Sequence, residues 1–292
     1  MSSEFLNYTQ TDSATSAVHA EPSLNPARFE ADALVVFLES DGLRGPLIEI
    51  DKSTGGLLQK IFQQGELKGK RYECISLYVP NGLACKQLLV VGIGPRDEVN
   101  AGVLYEAAGS AARRLSGKPR ATIGFLADGT WSNEELEQAV AGSIMGVTGQ
   151  DLYRSEKHQT PFEKTVWLQA PVEVVQRGSI IGEGVKLARR LVNMPPDDLY
   201  PETFAEEAAT IAGRVGLEIE IWDQARLEKE RCQALLAVAR GSTRAPRLVL
   251  MHYRGPGCND VSPRLALVGK GVTFDSGGLS LKTSEGMLAM KC

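Results

Sequence analysis

Between residues 31 and 170, short apolar runs and helical periods take turns, and this alternation constrains the fold more than any other feature of the chain. Ala33-Leu34-Val35-Val36-Phe37-Leu38 is an apolar run closed by Glu39-Ser40-Asp41-Gly42, the pattern of a buried strand and its turn. Cys74 to Val79, Gln87 to Ile93 and Thr122 to Leu126 read the same way. Between them, Leu47 to Gln64 has a helical pattern interrupted at Gly55-Gly56. Asn100 to Leu115 places Ala101, Leu104, Ala108, Ala111, Ala112 and Leu115 at helical spacing, with Asn100 as cap. Asn133 to Val147 is a further helix behind Ser132. Strands that alternate with helices predict an α/β domain with a mostly parallel sheet over residues 28–170.

On either side of that domain the pattern changes. Residues 1–27 are polar and are expected to form a flexible tail. Ser179 to Asn193 is helical and is stopped by Met194-Pro195-Pro196, because proline fixes φ and lacks an N–H. Residues 171–196 are therefore read as a connecting helix and residues 197–292 as the start of a second α/β domain. That domain is expected to hold helices at Pro201–Val215 and Gln224–Ala237, with strands at Leu217–Trp222, Arg247–Tyr253 and Arg264–Val268. Met287 to Cys292 looks like a further helix without a C-cap.

Composition excludes several functions. The chain of 292 residues has 36 acidic and 32 basic side chains, a net charge of −4, and no long Lys/Arg run, which argues against nucleic acid as a partner. No apolar run approaches the ~18 residues that span a bilayer. The first residues carry no apolar leader pattern, so a cytoplasmic protein is expected. Five cysteines without a C-x-x-C pair argue against a disulfide framework or a thiolate zinc site. Three histidines without H-E-x-x-H exclude a histidine-based zincin. Any metal would have to be held by carboxylates and other groups.

Gly92-Ile93-Gly94 follows a strand, as in dinucleotide-binding folds, but Pro95-Arg96-Asp97 replaces the third glycine, and a tight turn is the simpler reading. Gly269-Lys270 is not a phosphate loop, and Ser276 lacks the glycine pattern of a hydrolase elbow. The informative stretch is LALVGKGVTFDSGGLSLKTSEGMLAMKC, Leu265 to Cys292. An apolar run enters a glycine-rich segment that holds Lys270, Asp275 and Lys282. Lys270 and Asp275 are five apart, so a regular strand would send them to opposite faces. The glycines at 269, 271, 277 and 278 let the backbone depart from a strand and turn both inward. A plain turn with solvated lysines is the alternative. On the first reading, Lys270, Asp275 and Lys282 face one cavity at the carboxyl end of the preceding strand, where open α/β sheets place their sites.

Val268-Gly269-Lys270-Gly271-Val272-Thr273-Phe274-Asp275-Ser276-Gly277-Gly278-Leu279-Ser280-Leu281-Lys282 closely resembles the first metal and substrate segment of the leucyl, or cytosol, aminopeptidases. Leu191-Val192-Asn193-Met194-Pro195-Pro196-Asp197-Asp198-Leu199-Tyr200-Pro201 resembles the opening of that family's catalytic domain. The resemblance implies a metallo-exopeptidase that releases N-terminal residues, leucine-type by preference, from peptides by means of two divalent ions, manganese or zinc. Lys270 would ligate one metal, Asp275 would bridge both, and Lys282 would meet the carbonyl oxygen of the substrate. A carboxylate can bridge two ions, a neutral amine can ligate one, and a cationic lysine can meet a developing oxyanion.

The resemblance also implies a homo-hexamer, and a longer chain. Family members continue with a further metal-binding aspartate and an Asn-Thr-Asp-Ala-Glu-Gly-Arg motif, whose arginine holds a bicarbonate. The sequence is thus read as an N-terminal fragment whose catalytic domain is incomplete, inactive as it stands. The alternatives are a non-catalytic or DNA-binding regulatory protein of the same family, and a nucleotide-binding α/β protein that rests on Gly92 and Gly94.

Overall fold

The structure is a computed structural model and describes residues 17–148, 153–259 and 263–291. It divides into two compact units, Met1–Ala188 and Arg189–Cys292.

The first unit is built on strands β1 (Ala17–Glu21), β2 (Ala33–Glu39), β3 (Cys74–Tyr78), β4 (Gln87–Gly94), β5 (Thr122–Leu126) and β6 (Lys164–Leu168). Helices α1 (Pro46–Ser53), α2 (Leu57–Gln63), α3 (Ala101–Leu115), α4 (Asn133–Gly146) and α5 (Val172–Asn193) alternate with them, and α5 runs on past the boundary between the units. The six strands lie in the order β1-β6-β5-β2-β4-β3, with every pair parallel except β3 against β4. This is the expected α/β class. The antiparallel pair follows from its short connection, since a parallel crossover needs a dozen or more residues.

Two apolar layers sandwich the sheet. Val35, Leu89, Val91, Phe125 and Trp167 face α3 and α4, while Leu34, Val36, Leu88, Val90 and Val166 face α1 and α2. The Trp167 ring stacks on Phe125 with centroids 4.9 Å apart. Helices α3 and α4 approach almost backbone to backbone, because a Cβ at Gly142 would fall 2.0 Å from the Tyr105 carbonyl oxygen. Asn100 caps α3 through Val103 N (3.1 Å). Ser132 and Glu135 form a reciprocal capping box on α4. The helical pattern broken at Gly55-Gly56 resolves into α1 and α2, with both glycines at positive φ.

Three expectations need correction or extension. The tail was drawn to residue 27, but Ala17–Glu21 form β1, in parallel register with β6. Residues 1–16 lie outside the described residues. Strand β6 carries no alternating signal, because Lys164 and Thr165 precede only a three-residue apolar run. Gly92 and Gly94 serve the sheet itself. A Cβ at Gly92 would fall 2.0 Å from the Lys70 carbonyl oxygen, and Gly94 has a φ of 82°. Backbone packing accounts for both glycines without a nucleotide.

The second unit contains α6 (Pro201–Val215), β7 (Glu218–Trp222), α7 (Gln224–Lys229), α8 (Gln233–Ala239), β8 (Leu248–His252) and α9 (Ser284–Leu288). The single helix expected over Gln224–Ala237 is divided at Arg231, which has a φ of 58°. Strands β7 and β8 pair antiparallel as a two-stranded sheet. The strand expected at Arg264–Val268 does not form. Its residues form no regular structure and pair with no strand among the described residues, and Leu265, Leu267 and Val268 are almost wholly exposed. An apolar run becomes a strand only where a neighbour takes up its main-chain hydrogen bonds. The terminal helix spans Ser284–Leu288 rather than starting at Met287, because the Thr283 hydroxyl caps it through Gly286 N (3.2 Å). Cys292 lies outside the described residues.

Candidate active site

The glycine-rich segment forms a closed loop whose mouth brings Asp275 and Lys282 together. Gly277 has a φ of 93°, and a Cβ there would fall 2.3 Å from the Ser280 carbonyl oxygen, so only glycine fits. Gly278 follows with a φ of 70°. The turn closes with Lys282 N donating to the Ser276 carbonyl oxygen at 2.8 Å. Asp275 and Lys282 thereby flank one opening, and the Lys282 ammonium lies 2.9 Å from Asp275 Oδ2. The other carboxylate oxygen accepts from Gly277 N at 2.9 Å.

These partners set the charge of the site. The Lys282 ammonium and, next, the Gly277 N–H hold the Asp275 carboxyl below the ordinary carboxylate range, with Lys270 adding a weaker positive field. Asp275 is thus ionised at neutral pH. Lys270 is exposed on the irregular stretch before the loop, and acts on Asp275 only through its charge. Of the three residues singled out in the sequence, Asp275 and Lys282 are in contact and Lys270 stands apart.

The cavities at Thr54–Asn81 and at Asp32–Arg120 lie in the first unit. The expected cavity around Lys270, Asp275 and Lys282 depended on a strand at Arg264–Val268, and that strand is not formed. Among the described residues, no three His, Cys, Asp or Glu side chains gather where they could hold an ion. Of the three residues singled out, the loop carries Asp275 and Lys282, and the stretch before it carries Lys270.

Contacts that the sequence did not disclose hold the loop and the Pro-Pro segment within the second unit. A Cβ at Gly271 would come within 2.9 Å of the Phe204 ring, so α6 packs directly on the loop backbone. Lys291, just past α9, donates through Nζ to the carbonyl oxygens of Leu191 (3.3 Å) and Met194. It thereby satisfies acceptors at the C-terminal end of α5, where a cation is favoured. Burial pushes the Lys291 ammonium below its ordinary value. Arg190 grips Glu207 of α6 with two hydrogen bonds, at 3.1 and 2.6 Å. The Arg244 guanidinium covers the Tyr200 ring at 3.8 Å. A cap signal at Thr283 could be read from sequence, whereas nothing local marks Lys291 as a bridge to residues about 100 positions earlier.

Comparison with known proteins gives a consistent picture. The profile described as the N-terminal domain of the cytosol aminopeptidase family matches residues 33–157, and that family's catalytic domain matches residues 186–292. A probable cytosol aminopeptidase of Rhodopirellula baltica is 40% identical over 244 residues, which are 83% of this chain and 47% of that protein. One from Geotalea uraniireducens is 35% identical over 280 residues, 91% of this chain and 56% of that protein. The chain thus spans about half the length of the curated relatives it matches. A solved tomato leucine aminopeptidase mutant shares the fold, with a TM-score of 0.75 at 22% identity over 90% of this chain and 55% of that one. The bottromycin maturation enzyme BotP in complex with Mn has a TM-score of 0.70 at 29% identity, over 89% of this chain and 52% of that one.

Proposed function

Because the chain belongs to the cytosol aminopeptidase family, we propose that it carries the first metal and substrate segment of an enzyme that hydrolyses N-terminal residues, leucine-type by preference, from peptides. The observation that supports this reading best is the Asp275–Lys282 pair at the mouth of the glycine loop, inside the segment that resembles the family motif. Divalent metal use is part of the proposal, and a relative in fold is known in complex with Mn. Two ions, manganese or zinc, and a bicarbonate are its finer terms. In the same reading the enzyme is cytoplasmic and a homo-hexamer, which light scattering of the assembled protein tests.

The residues present do not by themselves make a two-ion centre. One carboxylate and one lysine fall well short of the roughly four ligands that an ion such as zinc takes. Asp275, moreover, is already engaged by an ammonium at 2.9 Å. No catalytic step is therefore routed through a metal here.

The chain's own residues allow a narrower account. Asp275 stays ionised at neutral pH and so provides a hard oxygen donor, the role proposed for it at the metal centre, with Lys270, which stands apart from it in the structure, as a candidate amine ligand. In the structure the Lys282 ammonium meets a carboxylate oxygen, 2.9 Å from Asp275 Oδ2. A substrate carbonyl that gains negative charge during hydrolysis would present a similar oxygen, and a fixed cation there lowers the barrier. The proposed role of Lys282 is that contact.

The test is a chimera in which this chain replaces its counterpart in the Rhodopirellula baltica relative, assayed on a leucine anilide with manganese. The chimera should hydrolyse the substrate, and the 292 residues alone should not. Asp275→Ala in the chimera should abolish metal-dependent turnover. Lys282→Ala should lower kcat more than it weakens metal binding. Equal metal affinity and turnover in the chimera and its Asp275→Ala variant would refute the assignment.

A further inference from the structure

The open edge of the six-stranded sheet carries a second potential site. Strand β3 ends the strand order, and its register with β4 runs from Cys74↔Val91 to Tyr78↔Gln87. Two hydrogen bonds fix which of its residues face β4: Gly92 N donates to the Glu73 carbonyl oxygen at 2.8 Å, and Val79 N to the Lys86 carbonyl oxygen at 2.9 Å. In an antiparallel ladder the bonded residues alternate, so Glu73, Ile75, Leu77 and Val79 turn their main chain toward β4. Cys74, Ser76 and Tyr78 turn theirs outward, where they meet no strand among the described residues.

A cavity of about 430 Å³ runs beside this edge, lined by Leu57, Lys60, Leu77, Tyr78, Val79 and Pro80 among others. A smaller one of about 230 Å³ shares Tyr78 and is lined by Lys86, Lys118 and Arg120, with Asp32 as its one acid. The Asp32 carboxylate is already committed to Lys86 Nζ (2.8 Å), Ala121 N (2.7 Å) and Thr122 N (3.2 Å). Lys86 and Asp32 thus offset each other, and the charged groups lining the two cavities beyond that pair are Lys60, Lys118 and Arg120, all positive. Tyr78 and Val79 project there at 68% and 79% exposure.

We propose that β3 and its two flanking cavities bind an extended, acidic segment of another polypeptide, which adds to the sheet as a further strand. Outward main-chain donors and acceptors supply the pairing that such a strand requires. The cations favour a negative partner and disfavour a basic one. A nucleic acid would match the charge but could not form the ladder, so the ladder decides between the two. This surface lies wholly in the first unit and does not depend on the peptidase reading.

The test uses the 292-residue chain and a fluorescent, N-acetylated peptide of alternating glutamate and valine, which an aminopeptidase cannot trim. Anisotropy should show binding that weakens as salt is raised. Tyr78→Pro deletes one outward N–H and leaves the β4 ladder intact, since proline is tolerated on the open side of an edge strand. It should weaken binding about tenfold or more. Lys60→Glu with Lys118→Glu changes two exposed side chains, and should weaken binding roughly fivefold with an unchanged melting curve, so the test survives if the proline variant fails to fold. Four results would overturn the proposal: no binding by wild type, equal binding by a folded Tyr78→Pro variant and wild type, equal binding of a lysine–valine peptide, or preferential binding of oligothymidylate. Concentration-dependent dimerisation that Tyr78→Pro abolishes, without peptide binding, would identify a second copy as the occupant and would also overturn it.

Discussion

The two units are apolar in similar proportion and bury their apolar residues very differently. In the first, six strands have helices on both faces, and β2 and β4 are buried almost throughout. In the second, the buried apolar side chains among the described residues are Leu199, Ala205, Ala208, Ala212 and Leu227. Leu265, Leu267, Val268, Leu279, Leu281 and Leu288 stay exposed there. A two-stranded sheet is marginal by itself in water. The contrast teaches that an apolar pattern states what a segment could bury, whereas a second layer decides whether it does.

Substitutions can break this contrast. Trp167→Ala, at the centre of the first core, should cost about 3–5 kcal/mol, while Leu267→Ala should cost less than about 0.5 kcal/mol. Hydrogen exchange read unit by unit would check this, and equal losses would mean that the second unit hides a core of its own. Next in size is Gly142→Val, which drives a side chain into the Tyr105 carbonyl and should destabilise the first unit by about 3 kcal/mol.

Asp32 gives a smaller and pH-dependent effect. The Lys86 ammonium, together with the Thr122 and Ala121 N–H groups, outweighs burial and holds its carboxyl below the ordinary value. A lowered folded value means the stabilisation is present above the unfolded value and is lost as pH falls through the folded one. Asp32→Ala should therefore cost about 2 kcal/mol at neutral pH and flatten the acid limb of the stability curve. Acid titrations of wild type and variant that run parallel would contradict the pairing.

The second unit should respond weakly, or in the opposite sense. Gly213 lies in α6 with open space where a Cβ would stand, so Gly213→Ala should raise local stability by about 0.5–1 kcal/mol. The smallest effect belongs to Asp275→Asn. This half-buried pair at a loop should leave the melting of both units unchanged, and any acid dependence of metal binding should follow the ionised carboxylate down to its lowered value. A clear drop in melting temperature would mean that the loop supports the fold rather than the chemistry.

Where layers are complete, the sequence was legible almost to the residue. Asn100 and Ser132 stand as caps where their side chains predicted, and Gly55-Gly56 divides α1 from α2. Legibility failed for elements defined by their neighbours. Ala17–Glu21 has no strong period, and becomes a strand because β6 offers an edge. Arg264–Val268 has the strand composition and lacks that edge. At the candidate site, the sequence reading has the glycines turn Lys270 and Asp275 inward, whereas the contact in the structure joins Asp275 to Lys282. Lys270 is expected to turn inward from a strand end, and without the strand it stays on an exposed, irregular segment.

The hydrogen bonds from Lys291 to Leu191 and Met194 also carry a kinetic consequence. They join positions 100 and 97 residues apart, so each closes nearly the entire length of the second unit into one loop. Such a contact is entropically costly to reach and forms after the local turns have shortened the path between its ends. During synthesis from the N-terminus, the first unit has all its strands by residue 168, whereas this clasp must wait for residue 291. The chain should therefore emerge as a folded sheet that trails an unclasped segment, and the closing of that segment should be the late step of its assembly.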